Sequence, residues 1–293
     1  MNAVLKDNAH IGVMAPSSFV ERDDIEKSKA VLEERGYTVT IHDQTFARLN
    51  QSAGDVAHKI EALHALYADS SIDAIWAAGG GNRALYMLEE LDYDIIDSNP
   101  KPLIGFSDVT ALLNAIAAQT GQVGFHAQVF KHLHTFEGLD QTLAALSGKE
   151  TSMPLSDADI IQDGAAEGLL VGGNLSLFHY LAGTNDCPPL QDSILFLEDT
   201  GDEMNRFDRM FIHMQRMGVF DQIGALILGE FDTQDTGRPF GFTLQDIALE
   251  ALGDRDIPVV MNAPFGHGEK LYPLPVGAHA KLDTAKGSLD FQL

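Results

Sequence analysis

Short apolar runs alternate with segments of helical periodicity along the first 110 or so residues of the chain. Residues 10–15 form a short apolar run that stops at Pro16-Ser17-Ser18. Residues 23–35 repeat apolar side chains at helical spacing (Ile25, Val31, Leu32) and end at Gly36. A β-rich run follows at 37–41. Residues 55–68 carry Ile60, Leu63, His64 and Tyr67 on one helical face. Another strand is predicted at 72–78, closed by Gly79-Gly80-Gly81-Asn82. A helical stretch is predicted at 84–91 and a strand at 102–105. Strands alternating with helices through short connections imply a parallel sheet covered on both faces. Ligands of such sheets bind beyond the carboxyl ends of the strands, where the turns at 79–82 and 105–108 both fall.

The pattern changes near residue 129. Residues 129–164 are richer in Gly, Ser, Thr and Asp and read as a linker with one short helix near 141–146. Gly168-Leu169-Leu170-Val171-Gly172-Gly173-Asn174 then opens a second unit. Buried strands are predicted at 193–197 and 225–229, and an amphipathic helix at 206–217. The Pro/Gly-rich stretch 264–277 suggests loops within a β-rich lobe. The expected organisation is an N-terminal domain over 1–128, the linker, and a C-terminal domain over 165–293.

Composition narrows the function. The net charge is -24, from 19 basic and 43 acidic residues. Such a surface repels phosphate backbones and argues against nucleic acid as a partner. No uncharged apolar run approaches the roughly 18 residues of a membrane span. No basic start followed by an apolar core marks a signal peptide, so the cytoplasm is the expected location. The single cysteine, Cys187, precedes two prolines and excludes a disulfide framework or a cysteine zinc cluster. His126, His132 and His134 lack the cysteine partners or the HExxH helix of a zinc site, so no metal is expected there.

One segment invites chemistry. Lys101-Pro102-Leu103-Ile104-Gly105-Phe106-Ser107-Asp108 reads as strand, sharp turn, helix, with Ser107 on the turn. A serine there is held clear of the sheet beside the free N–H groups of a helix start. Most Gly-x-Ser triplets are ordinary turns, so partners decide the matter. A serine nucleophile needs a base, commonly a histidine oriented by a carboxylate. His267 lies between Gly266 and Gly268, which leave its imidazole unobstructed, although a surface loop histidine is the simpler reading. Glu198 and Asp199 follow an apolar strand directly, as an orienting acid or as a solvated strand end. Gly79-Gly80-Gly81 lacks the dinucleotide spacing. It reads as a tight turn or as exposed N–H groups for an oxyanion.

Taken together these motifs resemble the LD-carboxypeptidases, a family of serine peptidases. The resemblance rests on 78–82, Leu91-Asp92-Tyr93-Asp94-Ile95-Ile96, 99–108, Gly172-Gly173-Asn174-Leu175-Ser176-Leu177, 194–199, Arg206-Phe207-Asp208-Arg209-Met210 and Pro264-Phe265-Gly266-His267. It runs from about residue 11 to 283. It implies a flavodoxin-like parallel-sheet N-terminal domain, a β-rich α+β C-terminal domain with the active site between them, and a homodimer. It implies cleavage of an amide bond between an L- and a D-centre, usually release of terminal D-alanine from a murein tetrapeptide during cell-wall recycling. Ser107 is then the nucleophile, His267 the general base and acid, and Glu198 its orienting carboxylate. The N–H groups of Gly80 and Asp108 form the oxyanion hole. Gly79, Gly81, Asn82, Gly173 and Asn174 contact the substrate.

The murein-type members usually read Arg-Gly-Gly-Tyr-Gly where this chain reads Ala78-Gly79-Gly80-Gly81-Asn82. The arginine and tyrosine that anchor substrate are therefore missing. Asn82 instead resembles the branch that gives immunity to microcin C by hydrolysing peptidyl- or aminoacyl-nucleotide bonds, though its members tend to be longer. A non-catalytic small-ligand binding protein is the reading from another class. It has no need for an exposed serine, an orienting acid and a glycine-flanked histidine together. A glutaminase of the cysteine type is excluded, since the turn holds serine.

Overall fold

The computed structural model describes residues 4–234, 237, 239–268 and 271–293. Along the chain run β1 His10–Met14, α1 Arg22–Glu33, β2 Thr38–Ile41, α2 Val56–Ala68, β3 Ala74–Ala77, α3 Tyr93–Ser98, β4 Leu103–Gly105, α4 Thr110–Thr120, β5 Gly124–His126 and α5 Leu139–Leu146. Then follow β6 Ser152–Pro154, β7 Asp159–Gln162, β8 Ala165–Asn174, α6 Leu175–Leu181, β9 Ile194–Asp202, α7 Met204–Arg216, α8 Val219–Gln222, β10 Ala225–Thr233 and α9 Leu244–Leu252. The last strands are β11 Val259–Met261, β12 Leu274–Val276, β13 His279–Asp283 and β14 Ser288–Gln292.

Two compact units emerge. The first extends through Glu150 and adds Pro273–Gly277 and Leu293. The second comprises Thr151–Tyr272 and Ala278–Gln292. Residues 129–164, read as a linker, contribute α5 to the first unit and β6 and β7 to the second.

In the first unit the sheet order is β2-β1-β3-β4-β5-β12. The first five strands are parallel, and β12 pairs antiparallel with β5. This is the doubly wound order 2-1-3-4-5 of the flavodoxin type, with its topological switch between β1 and β3. The short all-apolar run of β3 (Ala-Ile-Trp-Ala) is buried on both faces, as a central parallel strand must be. Trp76 donates from Nε1 to the Gln128 carbonyl at 2.7 Å, which satisfies its one polar atom. Asp55 caps α2 by accepting the His58 N–H at 2.9 Å. The helix expected at 84–91 is instead a 3-10 helix over Ala84–Glu90. It is confined between Arg83, held at a left-handed φ of 82°, and Asp92, whose side chain caps α3. Asp92 caps α3, and Asp94 and Asp97 within it are exposed to solvent.

The sheet of the second unit runs β6-β14-β13-β8-β9-β10-β11-β7. Strands β8 to β11 are parallel, and the flanking pairs are antiparallel. The amphipathic helix expected at 206–217 is α7, which buries Phe207, Phe211 and Met214. They pack with Leu195, Leu197, Leu226, Leu228 and Ile247 in one core. Glu269 and Lys270, within the stretch read as loops, lie outside the described residues.

Candidate active site

Two groups of candidate residues form, one in each unit. In the first, β4 delivers the chain into the turn Phe106-Ser107-Asp108. Phe106 is extended, and Ser107 takes φ of 62°. A serine in the left-handed region is uncommon and needs surrounding structure to hold it there. A 3-10 turn over Ser107–Val109 then leads into α4, with Val109 N–H bonded to the Phe106 carbonyl at 3.2 Å. The helix expected from Asp108 therefore begins as this tighter turn. Behind it, a side chain at Gly105 would meet Ala77 Cβ at 2.9 Å, so glycine lets β4 approach β3.

Gly80 lies against the serine. A Cβ at Gly80 would sit 3.1 Å from Ser107 Cβ and 3.3 Å from its Oγ. The Gly80 carbonyl accepts the Ser18 N–H at 3.2 Å, which ties the loop after β3 to the loop after β1. Gly79 is buried beside Val20 and Lys131, and Gly81 packs on Ser18. The Asn82 amide reaches Gln51 Oε1 at 3.4 Å, and with Gln51, Arg83 and Glu90 it lines a cleft of about 720 Å³. The Asp108 carboxylate is buried and accepts the Ala84 N–H at 2.9 Å.

In the second unit, His267 Nδ1 lies 2.6 Å from Glu198 Oε2. The Glu198 side chain is fully buried, and that of His267 is 21% exposed. Glu198 and Asp199 were expected at or beyond the end of a strand. Instead β9 continues through both to Asp202, because β10 pairs alongside it to Thr233. Burial pushes the Glu198 carboxyl up, while the hydrogen bonds from His267 and Asn174 favour its ionised form. Burial works against the His267 imidazolium. The hydrogen bond and charge of Glu198, with the charges of Asp199 and Glu230, outweigh it and hold His267 above its ordinary value.

Asp199 holds this arrangement from below. Its Oδ1 accepts Asn174 Nδ2 at 3.1 Å and the Thr200 N–H at 2.8 Å. Its Oδ2 accepts the Ser176 N–H at 2.8 Å and the Ser176 hydroxyl at 2.7 Å. Asn174 pairs in register with Glu198 across β8 and β9. Gly172 and Gly173 precede it at φ of 129° and 130°, a backbone that other residues avoid.

Sequence reasoning passed over Glu230. Its N–H donates to the Phe265 carbonyl at 2.8 Å, and a side chain at Gly266 would meet its Cβ at 2.7 Å. A side chain at Gly268 would overlap its carboxylate. The glycines around His267 thus admit Glu230 as well as freeing the imidazole, and a lone acid on an apolar strand gives no local sign of that.

Among the described residues no group of three or more His, Cys, Asp or Glu side chains is placed to hold a metal ion. His126 packs edge-on to Phe106 with ring centroids 5.7 Å apart, and His134 bonds to Ser28. Burial pushes the Cys187 thiol up to about 11, which keeps it from acting as a thiolate. No helix among the described residues is long and apolar enough to cross a membrane.

Comparison with known proteins adds a lineage to this geometry. Residues 11–127 match the LD-carboxypeptidase N-terminal domain, and residues 167–282 match the LD-carboxypeptidase C-terminal domain. A Synechocystis sp. protein provisionally named as a carboxypeptidase is 33% identical, over 98% of this chain and 95% of its own. The murein tetrapeptide carboxypeptidase of Pseudomonas aeruginosa is 28% identical over 94% of both chains. In fold, the solved wild-type structure of the microcin C7 self-immunity protein superposes with a TM-score of 0.89, covering 99% of this chain and 98% of that one at 22% identity. The chain belongs to the LD-carboxypeptidase family of peptidases.

Proposed function

We propose that this protein is a serine carboxypeptidase that removes terminal D-alanine from a murein tetrapeptide. The observation that carries the reading is Ser107, held at φ of 62° between strand and helix with the Gly80 backbone against its Oγ. Ser107 attacks the scissile carbonyl while His267 takes its proton. Glu198, 2.6 Å from Nδ1, fixes the ring so that the other nitrogen is the one that works, and it stabilises the imidazolium as it forms. The N–H groups of Gly80 and Asp108 receive the oxyanion. His267 then protonates the departing D-alanine amine, and water hydrolyses the acyl-enzyme. The nucleophile, the base and the oxyanion donors are all groups of the protein, so this chemistry calls for no cofactor.

The reading brings Ser107, from the domain read over 1–128, to work with Glu198 and His267, from the domain read over 165–293. It takes the protein to act in the cytoplasm as a homodimer. Gly79, Gly81, Gly173 and Asn174 are read as substrate contacts. The similarity to the Pseudomonas murein tetrapeptide carboxypeptidase supports the substrate class.

One observation favours a second reading. Asn82 stands where murein-type members carry glycine, and it opens on the cleft shared with Gln51 and Arg83. That position suits hydrolysis of an aminoacyl-nucleotide conjugate. Both readings are tested by incubating wild type and Ser107→Ala with tetrapeptide and following free D-alanine by mass spectrometry. Wild type should release it, and the variant should be slower by roughly 10⁴-fold or more. Equal release by both removes Ser107 as nucleophile. Release by neither, with turnover of an aminoacyl sulfamoyl nucleoside by wild type, selects the second reading.

A further inference from the structure

A peptidase that trims one terminal residue must recognise the free carboxylate of that residue. None of the residues read above as substrate contacts carries a positive charge. In a departing D-alanine the carboxylate carbon lies only about 3–4 Å from the scissile carbonyl carbon, across one N–Cα–C unit. The cation that meets it must therefore stand close to the serine turn.

Lys131 stands there, in the same unit as Ser107. The chain leaves β5 with the Ala127 N–H on the Gly105 carbonyl at 3.1 Å, just before the turn. The Gln128 carbonyl accepts Trp76 Nε1 at 2.7 Å, and the Lys131 N–H donates to the Ala78 carbonyl at 3.0 Å. The segment after β5 is thus fastened to β3, to the residue that follows β3 and to β4. Its lysine lies along the loop that carries Gly80. A Cβ at Gly79 would be 3.5 Å from Lys131 Cδ and 3.7 Å from Cε, while one at Gly80 would be 3.3 Å from Ser107 Oγ. The lysine stem and the serine hydroxyl therefore border successive residues, whose Cα atoms are about 3.8 Å apart.

The charge at the end of that stem is unclaimed. Lys131 is half-buried, and its Nζ makes no hydrogen bond or ion pair with any described residue. Lys27, Lys149 and Lys286 each pair with a carboxylate, and two carbonyls satisfy Lys101. In a chain of 43 acidic and 19 basic residues, an ammonium without a partner beside this loop is open to the negative charge of a ligand.

We propose that Lys131 binds the terminal carboxylate of the substrate and so confines cleavage to the last residue. The inference rests on the reading of Ser107 as nucleophile and D-alanine as leaving group, and it names the anchor which that reading lacks. A terminal amide places no charge at this point and forfeits the contact. Because the contact is made before and during the reaction alike, its loss should appear in KM more than in kcat.

The test compares the tetrapeptide with the same peptide ending in a carboxamide, for wild type, Lys131→Met, Lys131→Gln, Lys131→Arg and Ser107→Ala, with thermal unfolding of each. Wild type should prefer the free acid by roughly 10–100-fold in kcat/KM, the range for a hydrogen bond to a charged group. Lys131→Met and Lys131→Gln should lose most of that preference through a higher KM for the acid. Lys131→Arg keeps the charge and should restore it in large part. A lysine that only packs on Gly79 would instead slow both peptides alike and lower the unfolding temperature, which overturns the inference. An acid preference that survives in Lys131→Met and Lys131→Gln, or is absent from wild type, overturns it too. D-alanine release that still depends on Ser107 then leaves the nucleophile standing. Normal turnover by Ser107→Ala, or no D-alanine release by wild type, removes the reading of the reaction and the inference with it. Should Lys131→Met not fold, Lys131→Gln, which keeps a polar head, decides the comparison.

Discussion

Replacing Gly80 with alanine probes the contact between the two segments behind the serine. Gly80 is not in the left-handed region, so alanine brings no backbone strain of its own. The new Cβ would lie 3.1 Å from Ser107 Cβ, 3.3 Å from Oγ and 3.5 Å from the Phe106 carbonyl oxygen. Carbon atoms rest at about 3.5–4.0 Å, so the loop and the turn must part by roughly half an ångström. Gly80 is half-buried, and crowding of that size costs about 1 kcal/mol of stability. The chemistry is more sensitive. An oxyanion donor works at about 2.7–3.1 Å, and losing one costs about 10²–10³-fold in kcat. Gly80→Ala should therefore lose about 10²-fold in kcat, with an unfolding temperature within about 4 °C of wild type. Initial rates of D-alanine release and thermal unfolding by circular dichroism give both numbers. A variant with wild-type kcat would refute the role given to the Gly80 N–H. A loss of activity matched by collapse of the fold would refute the separation of chemistry from stability.

The remaining predictions concern the second unit. His267 must be neutral to accept a proton, and its pKa stands above the ordinary histidine value of about 6.5. The acid limb of kcat/KM should accordingly lie above that value. Glu198→Gln should move it to lower pH and cut kcat by about 10³–10⁴-fold; an unmoved limb would show that Glu198 does not set the basicity of His267. By linkage, the stabilisation from this pair is fully present below about pH 6.5 and fades as pH rises through the raised His267 value. Unfolding of wild type and Glu198→Gln at pH 5.5 and 8.5 should show a larger gap at the lower pH. Asp199→Ala strands the donors of Ser176, Thr200 and Asn174 in the interior and should cost about 3 kcal/mol by urea unfolding. A cost under about 1 kcal/mol would mean that these groups find other partners.

Much of the first unit was legible because its signals are local. The apolar run Ala74–Ala77, the apolar face of residues 55–68 and the stop at Gly36 each fix an element through a few neighbouring residues. The Ser107 turn was legible for the same reason, as an apolar strand broken by Gly-Phe-Ser and followed at once by an apolar-periodic helix. The lengths of β9 and β10 were not legible. Their outer halves (Glu198 to Asp202 and Glu230 to Thr233) are mostly polar, and pairing with neighbouring strands keeps them extended. For that reason the strand pattern alone left Glu198 open between an orienting acid and a solvated strand end, and it is in fact fully buried. Asp199 shows the same limit from the other side. An acid is assigned to the surface by its type, and only tertiary contacts reveal the partners that let it stay inside. β12 was missed because three residues, one of them proline, form a strand only where β5 offers an open edge.

That last strand bears on how the protein is made. The first unit's sheet is complete only when Leu274–Val276 pairs with Gly124–His126, nearly 150 residues earlier in the chain. During synthesis the amino-terminal half must therefore wait with the outer edge of β5 unpaired until most of the second unit has been translated. An exposed strand edge is a template for pairing with other chains. A fragment ending near Glu150 should consequently self-associate, whereas a circular permutant that places residues 273–277 directly after the first unit supplies the missing strand in cis.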